Sequence, residues 1–470
     1  MHNIFDDSGV CMSVSDLKAF IKPGMHAHLI GIGGVSMSPL AEELLACGLK
    51  VTGSDISDGP AVAHLRAIGI PVSIGHRAEN ISGCSFIVRT AAVHDENPEI
   101  DAARSAGIPV FERAEAWGYL MRSYKNALCI SGTHGKTTTT SMCAHILLAA
   151  QTDPTIMIGG TLPMLSAGHR IGHGDTILME SCEYYNSFLN FSPTIAVILN
   201  IEADHLDFFR DLEDVKASFT KFADLVPESG RIIVNADDQN AMDAVAATGR
   251  EALTFGFSHT ARVQGSGLTV SEGATEFDVT CDGQKYCHVV IHVPGRHNAC
   301  NALAAAAAAW ALGLPARAVT DGLASFRGAA RRLEFKGTCR GAKVYDDYAH
   351  HPGELKALID TVSSLNFNRI LLAFQPHTYS RTKALFHEFV EQLRRPDRVF
   401  LADIYAAREK NTIGISSRDL ADEIDGAVYC PSFEALEKEL VSAARPGDII
   451  LTVGAGDIFK VGEAIVEKPV

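Results

Sequence analysis

Short apolar runs alternate with amphipathic stretches along almost the whole chain, and most runs end in glycine or polar residues. That rhythm predicts parallel α/β domains, with strands buried between crossover helices. In the first segment an apolar run at 27–30 enters Gly31-Ile32-Gly33-Gly34, and a helix is predicted over 37–47. A second strand ends at Gly53-Ser54-Asp55, further strands are predicted at 85–89 and 108–111, and a helix near 113–122 closes the segment. The second segment opens with a strand at 126–130 that feeds a glycine turn at 131–137, with further strands at 176–179 and 194–199. Alternation over 264–293 predicts an antiparallel appendage, and the unbroken alanines at 304–309 predict a helix packed closely on a sheet. From Phe326-Arg327-Gly328 onward, strands at 343–345, 370–374, 398–401 and 448–453 predict another open sheet. Three domains are therefore expected, over 1–122, 123–328 and 329–470, since 470 residues exceed what one hydrophobic core organises.

Hydrophobic content of 47% with 21% charged residues fits a soluble globular protein, and no apolar run is long enough to span a membrane. Asp6, Asp7 and Asp16 stand where an export signal would be basic and then apolar, so a cytoplasmic location is expected. Eleven cysteines lie singly from Cys11 to Cys430 with no C-x-x-C pair, which fits reduced thiols, and Cys182 reads as a bystander near the chemistry. A net charge of −15 argues against nucleic acid or an anionic membrane as partner. It leaves anionic small substrates open, because salt screens charge over about 8 Å.

The strongest chemical signal is Gly132-Thr133-His134-Gly135-Lys136-Thr137-Thr138, set between a strand and a helix start. Backbone N–H groups and the positive helix end suit a phosphate there; Lys136 can reach the terminal phosphates and the Thr137 hydroxyl a Mg²⁺ ion. Two residues separate the glycines, where the common phosphate loop has four. Glu180 follows the strand at 176–179, and His205 lies in Asn200-Ile201-Glu202-Ala203-Asp204-His205-Leu206-Asp207 after the strand at 194–199. Ligands of open parallel sheets bind beyond the carboxyl ends of strands, so Lys136, Glu180 and His205 are expected in one crevice. Glu183, three residues further on, is the weaker candidate, and a lone His205 is more often a loop hydrogen-bonder than a ligand. Gly31, Gly33 and Gly34 with Asp55 match a dinucleotide fingerprint whose last glycine is replaced by Ser36. Asn298 and Asn301 lie three apart and share a helix face, a pattern that a helix cap also explains. Arg327, Arg331 and Arg332 sit at a domain junction, where an arginine can meet a γ-phosphate on closure.

The shortened loop, together with the Glu180 and His205 strand ends, resembles the Mur ligase family, which builds the peptide of bacterial cell-wall precursors. The resemblance extends through His297-Asn298-Ala299-Cys300-Asn301, Asp347-Tyr348-Ala349-His350, Phe374 to Thr382, Tyr405 to Glu409 and Gly454 to Ile458. It implies a Rossmann-like N-terminal domain, a central P-loop ATPase-type α/β domain and a Rossmann-like C-terminal domain. It implies ATP-dependent joining of L-alanine to the carboxylate of UDP-N-acetylmuramate through an acyl phosphate, by a monomer or weak homodimer with no nucleic acid and no membrane insertion.

Carried over by residue, the resemblance implies ATP at Gly132, Thr133, His134, Gly135, Lys136, Thr137, Thr138, Asn298, Asn301, Arg331 and Asp347. It implies Mg²⁺ at Thr137, Glu180 and His205, and a catalytic set of Lys136, Glu180, His205, Arg331 and His350. The UDP-sugar falls to Gly31, Gly33, Gly34, Ser36, Asp55 and His76, and the amino acid to His351, His377 and Arg381. Thr90-Ala91-Ala92-Val93-His94 and Thr378 depart from the family pattern. Phe219 stands where some members carry a modified lysine, with Lys216 and Lys221 out of register, so no such modification is expected. Alternatives are a murein tripeptide ligase on the same sugar nucleotide, an NAD-dependent oxidoreductase built on the first glycine loop, and a non-catalytic ATP-sensing module.

Overall fold

Three sheets with their crossover helices follow one another along the chain in the computed structural model, which describes residues 16–466 except 91, 166, 207, 272 and 408. Asp6, Asp7 and Cys11, with Ala91, Asp207 and Arg408 of the quoted motifs, lie outside the described residues. The first sheet contains β1 (His26–Ile30), β2 (Lys50–Asp55), β3 (Val72–Ile74), β4 (Phe86–Arg89) and β5 (Val110–Glu112). All are parallel in the order β3-β2-β1-β4-β5, so the chain reverses direction across the sheet beside β1, and the glycine loop leaves from that point.

The middle sheet has ten strands: β6 (Asn126–Ser131), β7 (Thr155–Leu162), β8 (Ala167–Arg170), β9 (Thr176–Glu180), β10 (Ile195–Ile198), β11 (Arg231–Asn235), β12 (Leu253–Gly256), β13 (Val263–Val270), β14 (Thr275–Cys281) and β15 (Gln284–Ile291). β6 lies between β10 and β9, which brings the phosphate loop, the 199–205 segment and Glu180 to one edge. The antiparallel strands β13 to β15 continue this sheet through β12 and do not hang off it as an appendage. Helix Arg296–Ala311 buries Ala304 to Ala309 against β11 to β14, where larger side chains would hold helix and sheet apart. The threonine run after the phosphate loop is buried too, and Thr140 and Ser141 donate to the carbonyls of Lys136 and Thr137 one turn back.

The third sheet runs β16-β17-β21-β18-β19-β20, with β16 (Glu334–Cys339) antiparallel to β17 (Ala342–Asp347) and the rest parallel. β18 (Ile370–Phe374), β19 (Arg398–Ala402) and β21 (Ile449–Val453) were legible as apolar runs. β16 and β20 (Val428–Cys430) were not, being a half-exposed edge and a three-residue strand. No helix among the described residues is long and apolar enough to cross a membrane.

One apolar cluster runs from Leu17 in the first domain to Val245 in the middle domain, so these two share a core. Helix Arg113–Met121 makes the seam, with Gly118 so close to Asn190 that an added Cβ would stand 1.8 Å from its carbonyl oxygen. Gly118→Ala is expected to destabilise the protein by about 1–3 kcal/mol through forced separation at this seam. Calorimetry reads this as a lowered melting temperature; an unchanged one would show that the seam is open in solution.

Candidate active site

The phosphate loop is fixed by two glycines that no other residue could replace. Gly132 (φ 146°) passes so close to Leu199 that a Cβ would lie 2.9 Å from its side chain, and at Gly135 (φ 82°) a Cβ would lie 2.5 Å from Asn301 Oδ1. Lys136 then begins the helix, and its Nζ donates to the carbonyls of Gly132 (2.5 Å) and Thr133 (3.1 Å) and to Glu183 (3.0 Å). Burial disfavours the ammonium charge, but the Glu183 carboxylate outweighs that and raises its pKa. Thr137 Oγ1 donates to Glu180 Oε1 at 2.9 Å, and Glu180 Oε2 accepts from the Gly159 N–H at 2.7 Å.

Glu183, ranked below Glu180 in the sequence, is buried and links Lys136 to His205, whose Nε2 lies 3.7 Å from Glu183 Oε1. His205 adopts a left-handed backbone (φ 54°) and stacks on Tyr184 at 4.3 Å between ring centroids. Desolvation lowers its pKa despite Asp204 and Glu183, which keeps the imidazole neutral and able to act as a ligand. Cys182 sits in the same turn, its thiol pushed up to about 11 by desolvation and then by Glu183, which suits a bystander.

Beside the loop a cavity of about 290 Å³ opens between the middle and third domains. His134, Gly135, Thr138, Asn298, Asn301 and Asp347, all expected at the nucleotide, are among the residues that line it. Asn298 also donates to the Pro294 carbonyl at 2.7 Å. Asp347 accepts from the Leu333 and Ala349 N–H groups, and burial pushes its carboxyl up to about 6. Arg331, expected at the nucleotide, is engaged inside the third domain. It binds Asp346 at 2.9 Å and the carbonyls of Gly454 and Gly456, and lies over the rings of Tyr348 and Phe459. A left-handed backbone at Arg331 (φ 59°) turns it away, and the neighbouring Arg332 lines the cavity in its place, 3.7 Å from Glu354.

Arg381, expected at the amino acid, donates to Asp204 at 3.1 Å across the domain boundary and faces His377 Nδ1 at 3.2 Å. Glu409 caps the short helix carrying Arg381 by accepting from the N–H groups of Tyr379 and Ser380. His350 joins this group, its ring 5.7 Å from that of His377. Both imidazoles are lowered to about 4, mainly by burial. His351, expected beside Arg381, packs instead on His134 (4.9 Å) with Nε2 3.3 Å from the Ala203 carbonyl. The reason is local: His351 is the N-cap of helix Pro352–Ser363, which aims its ring at the middle domain.

In the first domain, a Cβ on Gly31 (φ 77°) would lie 2.7 Å from Thr90 Cγ2. Gly33 donates its N–H to Asp55 Oδ2 at 2.9 Å, so Asp55 braces the loop. Gly34 continues that turn, its N–H donating to the Gly31 carbonyl. Ser36 accepts from Arg113 through its hydroxyl and from Trp117 Nε1 through its carbonyl (3.2 Å). His76 Nδ1 faces Ser54 (3.0 Å) and Glu99 (3.3 Å). Burial opposes the Glu99 charge, yet the nearby His28 imidazole (3.8 Å) and hydrogen bonds from Ser54 and Asn80 hold its carboxyl at about 2.

Residues 26–125 match the model for the Mur ligase family catalytic domain, 130–309 that for the Mur ligase middle domain, and 331–456 that for the Mur ligase glutamate ligase domain. The chain belongs to the Mur ligase family. It is 44% identical over 444 residues to the UDP-N-acetylmuramate–L-alanine ligase of Clostridium novyi, covering 94% of this chain and 97% of that one. It is 46% identical to the enzyme of the same name from Acetivibrio thermocellus, over 93% and 95% of the two chains. Among solved structures, the UDP-N-acetylmuramate–alanine ligase of Thermotoga maritima superposes with a TM-score of 0.76 at 29% identity, covering 94% of this chain and 98% of that one. A murein peptide ligase from Psychrobacter arcticus shares the fold, with a TM-score of 0.63 at 22% identity over 95% and 100%.

Several residues of this Mur ligase's cleft were not singled out in the sequence. Arg113 reaches from the seam helix to the Ser36 hydroxyl of the first-domain loop. Asp204, beside His205, pairs with Arg381, and Glu202 and Glu354 flank His134. An arginine opening a helix after a first-domain strand was a usable signal; the carboxylates had none beyond their place at strand ends.

Proposed function

We propose that this Mur ligase joins L-alanine to the lactyl carboxylate of UDP-N-acetylmuramate at the expense of ATP. The observation that supports this most is the 44–46% identity over nearly the whole chain to UDP-N-acetylmuramate–L-alanine ligases, and the first and middle domains, which carry the glycine loop and Lys136, share one core. The nucleotide base and ribose enter the cavity lined by Asn298, Asn301, Asp347 and Arg332, with the triphosphate on the loop. Lys136 then exchanges the Gly132 and Thr133 carbonyls for phosphate oxygens while Glu183 keeps it charged and aimed.

The substrate carboxylate attacks the γ-phosphorus, the bond to ADP breaks, and an acyl phosphate forms. The alanine amine, with its carboxylate on Arg381, attacks the acyl carbon and inorganic phosphate leaves. The imidazoles of His350 and His377 line that end, and burial disfavours their charged forms there. The hydroxyl and carboxylate oxygens of Thr137 and Glu180, 2.9 Å apart, fit Mg²⁺, and neutral His205 fits a second ion. When bound, Mg²⁺ supplies neutralisation of phosphate charge.

Phosphate release is expected with UDP-N-acetylmuramate plus L-alanine and to be far slower with the same sugar plus the murein tripeptide. A preference for the tripeptide would transfer the assignment to the recycling ligases.

A further inference from the structure

His134, Glu202 and His351 place one nitrogen or oxygen donor each within 4.8 Å of one another, and the first two line the nucleotide cavity. We infer that this trio is a site for a first-row transition-metal dication of the Zn²⁺ type, joining the middle and third domains and competing with nucleotide. Among the described residues it is the group of three such side chains so arranged, and it is separate from the Thr137–Glu180 oxygen pair.

The donors are oriented as metal ligands usually are. His351 Nε2 lies 3.3 Å from the Ala203 carbonyl, which fixes its proton there; Nδ1 accepts from the Gly353 N–H at 3.3 Å as the helix cap and lies 3.8 Å from Glu202 Oε2, so an ion takes over the lone pair that now serves the cap. His134 Nε2 lies 3.3 Å from the same carboxylate oxygen, and its Nδ1 lies 3.4 Å from Glu354 Oε1. Each imidazole thus has its far nitrogen held by a carbonyl or a carboxylate, the arrangement that orients histidines on zinc. Ligand bonds of about 2.0–2.1 Å require donors roughly 3.4 Å apart, which the His134–Glu202 pair already meets. Glu202 is 45% exposed and free to draw the rest together.

The electrostatics also favour a cation. Glu202 and Glu354 face the two ring nitrogens of His134 at 3.3 and 3.4 Å, so two carboxylates offset the charge of an ion bound there. Two imidazoles and a single carboxylate select a borderline metal over Mg²⁺, which prefers all-oxygen ligands. Because His134, Glu202 and Glu354 line the cavity, an ion here takes up space that the nucleotide would use.

The test uses the full chain with Co²⁺ as a spectroscopic probe in excess Mg²⁺. The result expected is one Co²⁺ per chain with the strong visible absorption of low coordination number, displaced by Zn²⁺ and weakened by a non-hydrolysable ATP analogue. Glu202→Gln, which keeps size and shape, and His351→Gln should each weaken Co²⁺ by at least tenfold, whereas Glu180→Gln should leave it bound. Wild-type affinity in Glu202→Gln, loss of Co²⁺ in Glu180→Gln, or displacement by Mg²⁺ would each overturn the site. The spectrum needs no turnover, so its failure is distinct from failure of the phosphate-release assay made with Mg²⁺ alone.

Discussion

Replacing Lys136 with alanine is expected to lower turnover about a thousandfold while leaving UDP-sugar affinity within about twofold, since a donor aimed at transition-state charge contributes on the order of 3–4 kcal/mol. The reason lies in how the ammonium is held. Its three donors meet two loop carbonyls and Glu183; phosphate oxygens replace the carbonyls on binding, while Glu183 keeps the ammonium in place through the transfer. The same change strands Glu183, which is 2% exposed, and leaving a buried carboxylate unpaired costs about 3–5 kcal/mol. The double variant Lys136→Ala, Glu183→Gln should therefore recover stability but not turnover. Stopped turnover with intact sugar binding by calorimetry supports the division between domains; an equal fall in both would sink it.

Arg381→Ala should raise the KM for alanine about a hundredfold, or ~2.7 kcal/mol, with the KM for ATP almost unmoved. A guanidinium held by Asp204 and facing His377 presents a ready fork to an α-carboxylate. Asp204 and Arg381 lie on different domains, so the loss could also act by loosening closure. Asp204→Asn separates the two effects. It removes the interdomain charge pair but leaves the arginine, and should keep the alanine KM within about threefold. Parallel rises in both KM values for Arg381→Ala would make the arginine a closure element and move the amino acid elsewhere.

Backbone-directed features were the legible ones. The strand-to-loop joins before Gly132, at Glu180 and before Asn200 could be read because apolar runs stop there, and parallel pairing then forces those ends to one edge. The glycines of both loops could be read because positive φ and close approach exclude other residues, as the Leu199, Asn301 and Thr90 contacts show. Side-chain direction was harder. Arg331 and Arg332 are adjacent and chemically identical, and only the left-handed turn at Arg331 decides which of them meets the cavity. His350 and His351 differ in the same way, because the second is a helix cap. Glu183 was undervalued because left-handed residues Tyr185 and Asn186 bend the following turn, and it is brought to both Lys136 and His205.

The sequence by itself therefore determined three α/β domains, a phosphate-binding turn and the family, since each depends on local periodicity or on residues that the backbone requires. The tertiary structure decided which of two neighbouring arginines and histidines face the cleft, and joined Asp204 to Arg381 and His134 to Glu354 across domains. Such pairings follow from how rigid sheets dock, and donors far apart along the chain carry no local signature of the partner they will meet.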